Sequence, residues 1–144
     1  MYKHILLPTD GSELSKAAIT HGLALAKTLG ASVTALVVSA PPPSLVVDLD
    51  SMAAAVAQYK MLVTSQTTKY LENVRLEAEN AGVQCATLRI EHDKPYEAIV
   101  DTAKNGGCDL VVMASHGLRG VSAILGSETL KVLTHSSVPI LVYR

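Results

Sequence analysis

Asp109-Leu-Val-Val-Met-Ala-Ser-His-Gly117, followed by Leu118–Leu125 and then Gly126-Ser-Glu-Thr129, is the stretch that decides how this chain folds. Leu110 to Met113 is an unbroken apolar run, the pattern of a short strand buried on both faces. A glycine-punctuated loop and the start of a helix come after it. The first turn of a helix carries backbone N–H groups without intrahelical partners, and its dipole end is positive. Small residues ahead of that turn let an anion approach the backbone. The order strand, glycine loop, helix start therefore reads as a phosphate cradle.

The same alternation extends outward in both directions. Lys3 to Thr9 is a second short apolar run, stopped by Pro8. Asp10-Gly11-Ser12 is a turn and helix-cap cluster. A helix over Ser12–Leu29 is expected, with Leu14, Ala18, Gly22, Leu25 and Leu29 on its inner face and Gly30 beyond its end. Ser32–Ser39 reads as a strand. Pro41-Pro42-Pro43-Ser44 breaks the pattern, and Leu45–Asp50 is expected to be surface loop. Ala53–Ala81 predicts a long helix facing inward through Val56, Val63, Tyr70, Val74, Ala78 and Ala81. Val83–Ile90 reads as the third strand. A helix opens at Pro95, with Tyr96, Ile99, Val100 and Ala103 as its apolar stripe, and stops at Gly106-Gly107. Ser127–Thr134 is the last helix and Val138–Tyr143 the last strand. Apolar strands alternating with helices predict a parallel sheet. Right-handed crossovers then give a three-layer α/β/α sandwich on five parallel strands of order 3-2-1-4-5, as one domain over residues 1–144.

Composition narrows the function. The chain has 144 residues, is 49% hydrophobic and carries a net charge of −1, so neither nucleic acid nor an anionic membrane is an electrostatically favoured partner. Phe and Trp are absent, which removes the usual stacking platforms for single strands. Cys85 and Cys108 form no C-x-x-C pair, so metal or disulfide chemistry is not indicated and two free, buried thiols are expected. The opening apolar run is too short for a signal peptide and no segment approaches a membrane span, so the cytoplasm is the expected compartment.

In open α/β sheets, ligands bind beyond the carboxyl ends of the strands where the strand order reverses. In a 3-2-1-4-5 order, strands one and four flank that point. Pro8-Thr9-Asp10-Gly11-Ser12 and Ala114-Ser115-His116-Gly117 would then face one crevice. Neither is a Walker A loop, which needs Gly-Lys-Ser/Thr, nor a G-x-G-x-x-G fingerprint after the first strand.

These residues resemble the universal stress protein family. Tyr2-Lys-His-Ile-Leu-Leu-Pro-Thr-Asp-Gly-Ser12 is similar to that family's first strand and acidic turn. Met113-Ala-Ser-His-Gly117 through Gly126-Ser127 is similar to its nucleotide motif, and Val138-Pro-Ile-Leu-Val142 to its last strand. The nucleotide-binding branch carries G-x-x-G, nine residues, then G-S/T. Here Ala114 stands at the first glycine, and Leu118–Leu125 makes the spacer eight residues. The resemblance implies an adenine nucleotide hydrolase-like fold that binds ATP, with Mg2+ or Mn2+ accompanying the triphosphate. It implies that Pro8, Thr9 and Asp10 line the adenine and ribose side, and that Val38 meets the adenine through its backbone. Met113 and Ala114 would lie under the ribose, with Ser115 and His116 in the loop that follows. Gly117, Gly126, Ser127, Glu128 and Thr129 would hold the phosphates through backbone N–H and hydroxyl groups. It also implies a homodimer formed through the last strand, whose apolar edge would otherwise be unpaired.

Plainer roles stand beside these. Asp10 and Ser127 also suit helix caps, and His116 an exposed loop position. His92-Asp93 reads as a solvated turn and not as a metal pair. Arg119 is either a phosphate clamp or a surface arginine, and Pro41–Asp48 either a partner-binding lip or a variable loop. Four functions follow: an ATP-binding stress-response or signalling factor; a dimeric interaction module without nucleotide; an enzyme passing through an adenylated intermediate; a response-regulator receiver. The third needs substrate-binding insertions for which 144 residues leave little room, and the fourth needs an acidic pair where Asp10 stands alone. Any ATP hydrolysis is expected to be slow, because no base or nucleophile is evident beside the phosphates.

Overall fold

The computed structural model describes residues 1–44, 49–117 and 124–144. Its elements are β1 (His4–Pro8), α1 (Glu13–Leu29), β2 (Ser32–Ser39), α2 (Leu49–Ala81), β3 (Cys85–Glu91), α3 (Pro95–Asn105), β4 (Leu110–Ala114), α4 (Ser127–His135) and β5 (Ile140–Tyr143). All strand pairs are parallel and the order is β3-β2-β1-β4-β5, as the alternation of strands and helices predicts. Arg119 and the Leu45–Asp48 part of the expected surface loop lie outside the described residues, as does most of Leu118–Leu125.

Side chains of a strand point alternately to the two faces of its sheet, and the core divides accordingly. Ile5, Leu7, Val33, Ala35, Leu110 and Val112 pack under α1 and α2. Leu6, Leu36, Val111 and Met113 pack under α3 and α4. The central strand β4 is buried at every position, and β1 at every position after His4. Such strands have no face to show to water, which forces helices onto both sides. Cys85 borders the first core cluster and is half-buried rather than buried, whereas Cys108 is buried in the second, so the sheet separates the two thiols and both are free. Burial pushes each thiol up, and Asp109 adds to the effect at Cys108.

Several boundaries differ from the sequence reading, each for a local reason. Helix α2 begins at Leu49 rather than Ala53, and Asp50 in its first turn suits the positive end of the helix. Val83 does not join β3, because its N–H returns to Ala78 O at 2.9 Å and closes the end of α2 beside Gly82. Strand β5 starts after Pro139, which has no N–H to give a ladder. The inner face of α1 runs through Ser15, Ala18, Ile19, Gly22, Leu23 and Ala26, and Leu29 is left 37% exposed. Thr67 is buried on α2 because its hydroxyl donates to Val63 O at 2.7 Å, which satisfies it on its own helix.

Asp109 fixes the lower ends of β1 and β4. Its carboxylate accepts the Lys3 N–H at 2.8 Å and the His4 N–H at 3.0 Å. Burial pushes this carboxyl up, but the N–H groups of Lys3, His4 and Asp109 itself pull it further down, below its ordinary value. A carboxyl lowered in the folded state stabilises above its unfolded pKa, and that contribution is lost as pH falls through the folded value. Asp109→Ala is expected to lower the urea midpoint at neutral pH with little change in slope. The gap to wild type should begin to narrow near about pH 4 and continue to close below it. Urea titrations at a series of pH values check this, and a gap that widens in acid would contradict it.

Candidate functional site

The crevice forms where β1 and β4 end. Pro8 is the last residue of β1, and the chain then turns through Thr9-Asp10-Gly11 into the cap of α1. Thr9 donates its N–H to Leu36 O at 2.8 Å, and its buried hydroxyl accepts from Ser15 Oγ at 2.7 Å and from Gly11 N at 3.2 Å. The Asp10 carboxylate accepts from Ser12 N at 3.0 Å, and Ser12 Oγ accepts from Ser15 N at 3.2 Å as the helix cap. Gly11 holds a φ of 79° with the Tyr70 ring of α2 against it, so a side chain there would meet both strain and the ring. The Thr9 hydroxyl is thus committed to shaping the turn that presents Asp10.

On the other side β4 ends at Ala114, paired in register with Tyr143. Among the described residues only glycines have positive φ, so Ala114 sits in ordinary extended backbone and its methyl is buried without backbone strain. Met113 is buried in the core cluster beneath. Ser115 is 2% exposed; its N–H donates to Tyr143 O at 2.7 Å, and its carbonyl accepts from Gly126 N at 2.7 Å. His116 is half-buried rather than exposed, with Nδ1 3.2 Å from Ser115 Oγ. Gly126 is pressed against the end of β4: a Cβ there would lie 3.1 Å from both His116 Cα and Ser115 O.

Helix α4 opens directly from Gly126 with no side chain capping it. The first-turn N–H groups of Ser127, Glu128 and Thr129 are therefore the donors that a helix cannot satisfy internally. The Ser127 side chain is exposed at this end. The other two side chains are engaged elsewhere. Thr129 Oγ1 donates to Ala114 O at 3.0 Å and ties the helix to the strand. Glu128 reaches across to accept the Tyr96 N–H at 2.9 Å, and it also pairs with Lys131 at 3.3 Å. Because Lys94 provides no side-chain cap to α3, Glu128 serves as the cap of that helix from another element. This role had no local sequence signal, since Tyr96 and Glu128 are 32 positions apart.

The two halves touch. A Cβ built on Gly117 would collide with the Asp10 carboxylate, so the β1–α1 turn and the β4–α4 loop face each other at this point. Pro8, Thr9, Asp10, Met113, Ala114, Ser115, His116, Gly117, Gly126, Ser127, Glu128 and Thr129 lie along these two connections. Val38 stands one strand away near the end of β2; it is half-buried, and its side chain packs on the α3–α4 side of the sheet. His92 Nδ1 accepts from Lys94 N at 2.9 Å in a turn with Asp93 beside it. No metal-binding cluster of three His, Cys, Asp or Glu side chains occurs among the described residues, nor is any helix among them long and apolar enough to cross a membrane.

A protein-family model described as the universal stress protein family matches residues 1–144. The universal stress protein MJ0577 of Methanocaldococcus jannaschii is 32% identical over 157 aligned positions, which cover 100% of this chain and 96% of that protein. The solved structure of MJ0577 superimposes with a TM-score of 0.83 at 31% identity, over 99% of this chain and 96% of its own. A universal stress protein crystallised in complex with cAMP shares the fold, with a TM-score of 0.74 at 20% identity over 99% and 97% of the two chains. So does one from Archaeoglobus fulgidus in complex with dAMP, with a TM-score of 0.66 at 17% identity over 99% and 98%.

The contact between Gly117 and Asp10 predicts strong coupling. Gly117→Ala should push the carboxylate off Ser12 N and destabilise the protein, whereas Gly117→Ala in an Asp10→Ala background should cost much less. A double-mutant cycle read by urea unfolding is expected to give a coupling of about 0.5–3 kcal/mol. Additive costs would mean that the two connections do not meet.

Proposed function

The chain belongs to the universal stress protein family, and from that premise we propose that it binds ATP in the β1/β4 crevice and acts as a nucleotide-dependent stress-response or signalling factor. The observation that carries this reading is the position of Asp10 against Gly117, beside an α4 N-terminus that no side chain caps. One side offers a carboxylate for ribose hydroxyls; the other offers backbone N–H groups approached past two glycines. The cAMP and dAMP complexes of two relatives support an adenine nucleotide as the ligand class. Pro8, Thr9 and Asp10 would border the base and ribose, Val38 the base, Met113 and Ala114 the ribose, and Gly117 with Gly126 to Thr129 the phosphates, with Ser115 and His116 in the loop between. Glu128 and Thr129 would contribute backbone N–H groups, since their side chains are engaged elsewhere. A Mg2+ or Mn2+ ion would ride on the phosphate oxygens, because Asp10 and Glu128 already accept backbone N–H groups.

Turnover is expected to be slow: the one hydroxyl–imidazole contact in the crevice among the described residues uses Ser115, which is buried. The alternative of an interaction module without nucleotide draws on Ala114 in place of glycine and on the eight-residue spacer; the extended backbone at Ala114 answers the first ground, and most of the spacer lies outside the described residues. The cytoplasm is the compartment in which we place this activity.

Thermal unfolding with ATP and Mg2+ tests the reading. Ligand at 100 times its Kd stabilises the native state by about 2.7 kcal/mol. For a chain of this size that raises Tm by about 5–10 °C. Gly126→Ala should lose most of the rise, because the added methyl displaces the start of α4. An unchanged wild-type Tm at millimolar ATP sinks the proposal.

The proposal includes a homodimer paired along β5. Val111 N and Ser115 N donate to Pro139 O and Tyr143 O, so by alternation Leu141 also faces β4 while Ile140 and Val142 turn their backbone groups outward. Leu141 is 42% exposed on this edge. Val142→Pro removes an outward donor and leaves the β4–β5 ladder intact. Light scattering should therefore find a dimer for the wild type and a monomer for Val142→Pro. A wild type that is monomeric at tens of micromolar would refute this part.

A further inference from the structure

A second cleft lies away from the β1/β4 crevice, at the ends of β2 and β3 under the overhanging N-terminal half of α2. It has a volume of about 170 Å3 and is lined by Ser39, Tyr59, Lys60, Thr64, Arg89 and Glu91, among others. The fold builds it from three elements. Ser39 ends β2, and Arg89 and Glu91 are two apart on β3, hence on one face and about 6–7 Å apart along the strand. Lys60 and Thr64 are one helical turn apart on α2. Tyr59 OH donates to Ala40 O at 3.0 Å and pins the helix over the cleft as a roof.

The charges around this cleft are unspent. Arg89 gives one N–H to Thr64 Oγ1 at 2.7 Å, which orients the guanidinium. Among the described residues, neither the Lys60 ammonium nor the Glu91 carboxylate has a hydrogen-bond or ion-pair partner, and no ion pair joins Lys60 or Arg89 to Glu91. Two cations and one carboxylate thus surround one small space without collapsing on each other. A simple anion would meet Glu91, and a simple cation would meet Lys60 and Arg89. A molecule carrying both signs a few ångströms apart satisfies all three.

We propose that this cleft binds a small amino-acid zwitterion, with its carboxylate on Arg89 and Lys60 and its ammonium on Glu91. A planar carboxylate matches the guanidinium fork. The Ser39 and Thr64 hydroxyls supply the remaining hydrogen bonds. The volume is close to that of a cavity that holds benzene, about 150 Å3, so the ligand is an amino acid with a short side chain. Its partners face solvent, so affinity is in the millimolar range. The inference does not depend on nucleotide binding.

Titration of 15N-labelled protein with glycine, in the absence of nucleotide, tests it. Saturable shifts centred on the Ser39, Thr64 and Glu91 amides are expected, with acetate and methylammonium each binding about tenfold more weakly or worse. Arg89→Gln and Glu91→Gln should each weaken glycine by a similar factor, and Lys60→Gln serves in place of either variant that fails to fold. The proposal is overturned if glycine gives no saturable shift up to tens of millimolar. It is also overturned if acetate binds as well as glycine and Glu91→Gln changes nothing, for the cleft would then be a plain anion surface.

Discussion

Burial of β1 and β4 on both faces is the constraint on which the rest of this structure depends. A strand with no wet side must satisfy its backbone through its neighbours and its side chains through helices above and below. Leu6 and Leu7 point to opposite faces and each belongs to a different core cluster. Polar side chains are thereby driven to the two ends of the central strands. At one end Asp109 joins the start of β1 to the start of β4. At the other, Asp10 and Gly117 meet where the chain leaves the same two strands in opposite directions. The polar groups of the two connections gather at the crevice because the buried faces of β1 and β4 cannot hold them.

The crevice also shows how few side chains such a site needs. Thr9, Ser12 and Ser15 hydrogen-bond among themselves to fix a turn. Thr129 binds the end of β4, and Glu128 caps a different helix. Among the described residues, what borders the space is backbone, the Asp10 carboxylate, the half-buried His116 and the exposed Ser127. A crevice built this way is shaped by glycine positions and helix starts, and its side chains serve mostly as scaffolding.

That division explains what the sequence made legible. Strand order and layers follow from apolar runs such as Leu110–Met113, whose pattern is local and unambiguous. The two connections that meet at the crevice follow from topology once the order is known. The inner face of α1 is legible at Ala18 and Gly22, but Leu14, Leu25 and Leu29 outrank Ser15 by hydrophobicity, and the buried row runs instead through Ser15, Ile19, Leu23 and Ala26. Ser15 is buried only because Thr9 and Ser12 satisfy its hydroxyl and N–H, and Gly22 because Leu7 presses on it. The starts of β5 and β3 are set by hydrogen bonds that Pro139 cannot give and Val83 gives elsewhere. Partnerships such as Glu128 with Tyr96, or Arg89 with Thr64, join positions far apart in the chain and leave no periodic trace.

The separation of Cys85 and Cys108 by the sheet has a consequence for how the chain meets oxidants. The thiolate is the reactive form of cysteine, and both thiols are held in their protonated state by burial. With a layer of backbone between them they cannot reach the geometry of an intramolecular bridge. Oxidants that react through the thiolate are therefore expected to act slowly on both cysteines.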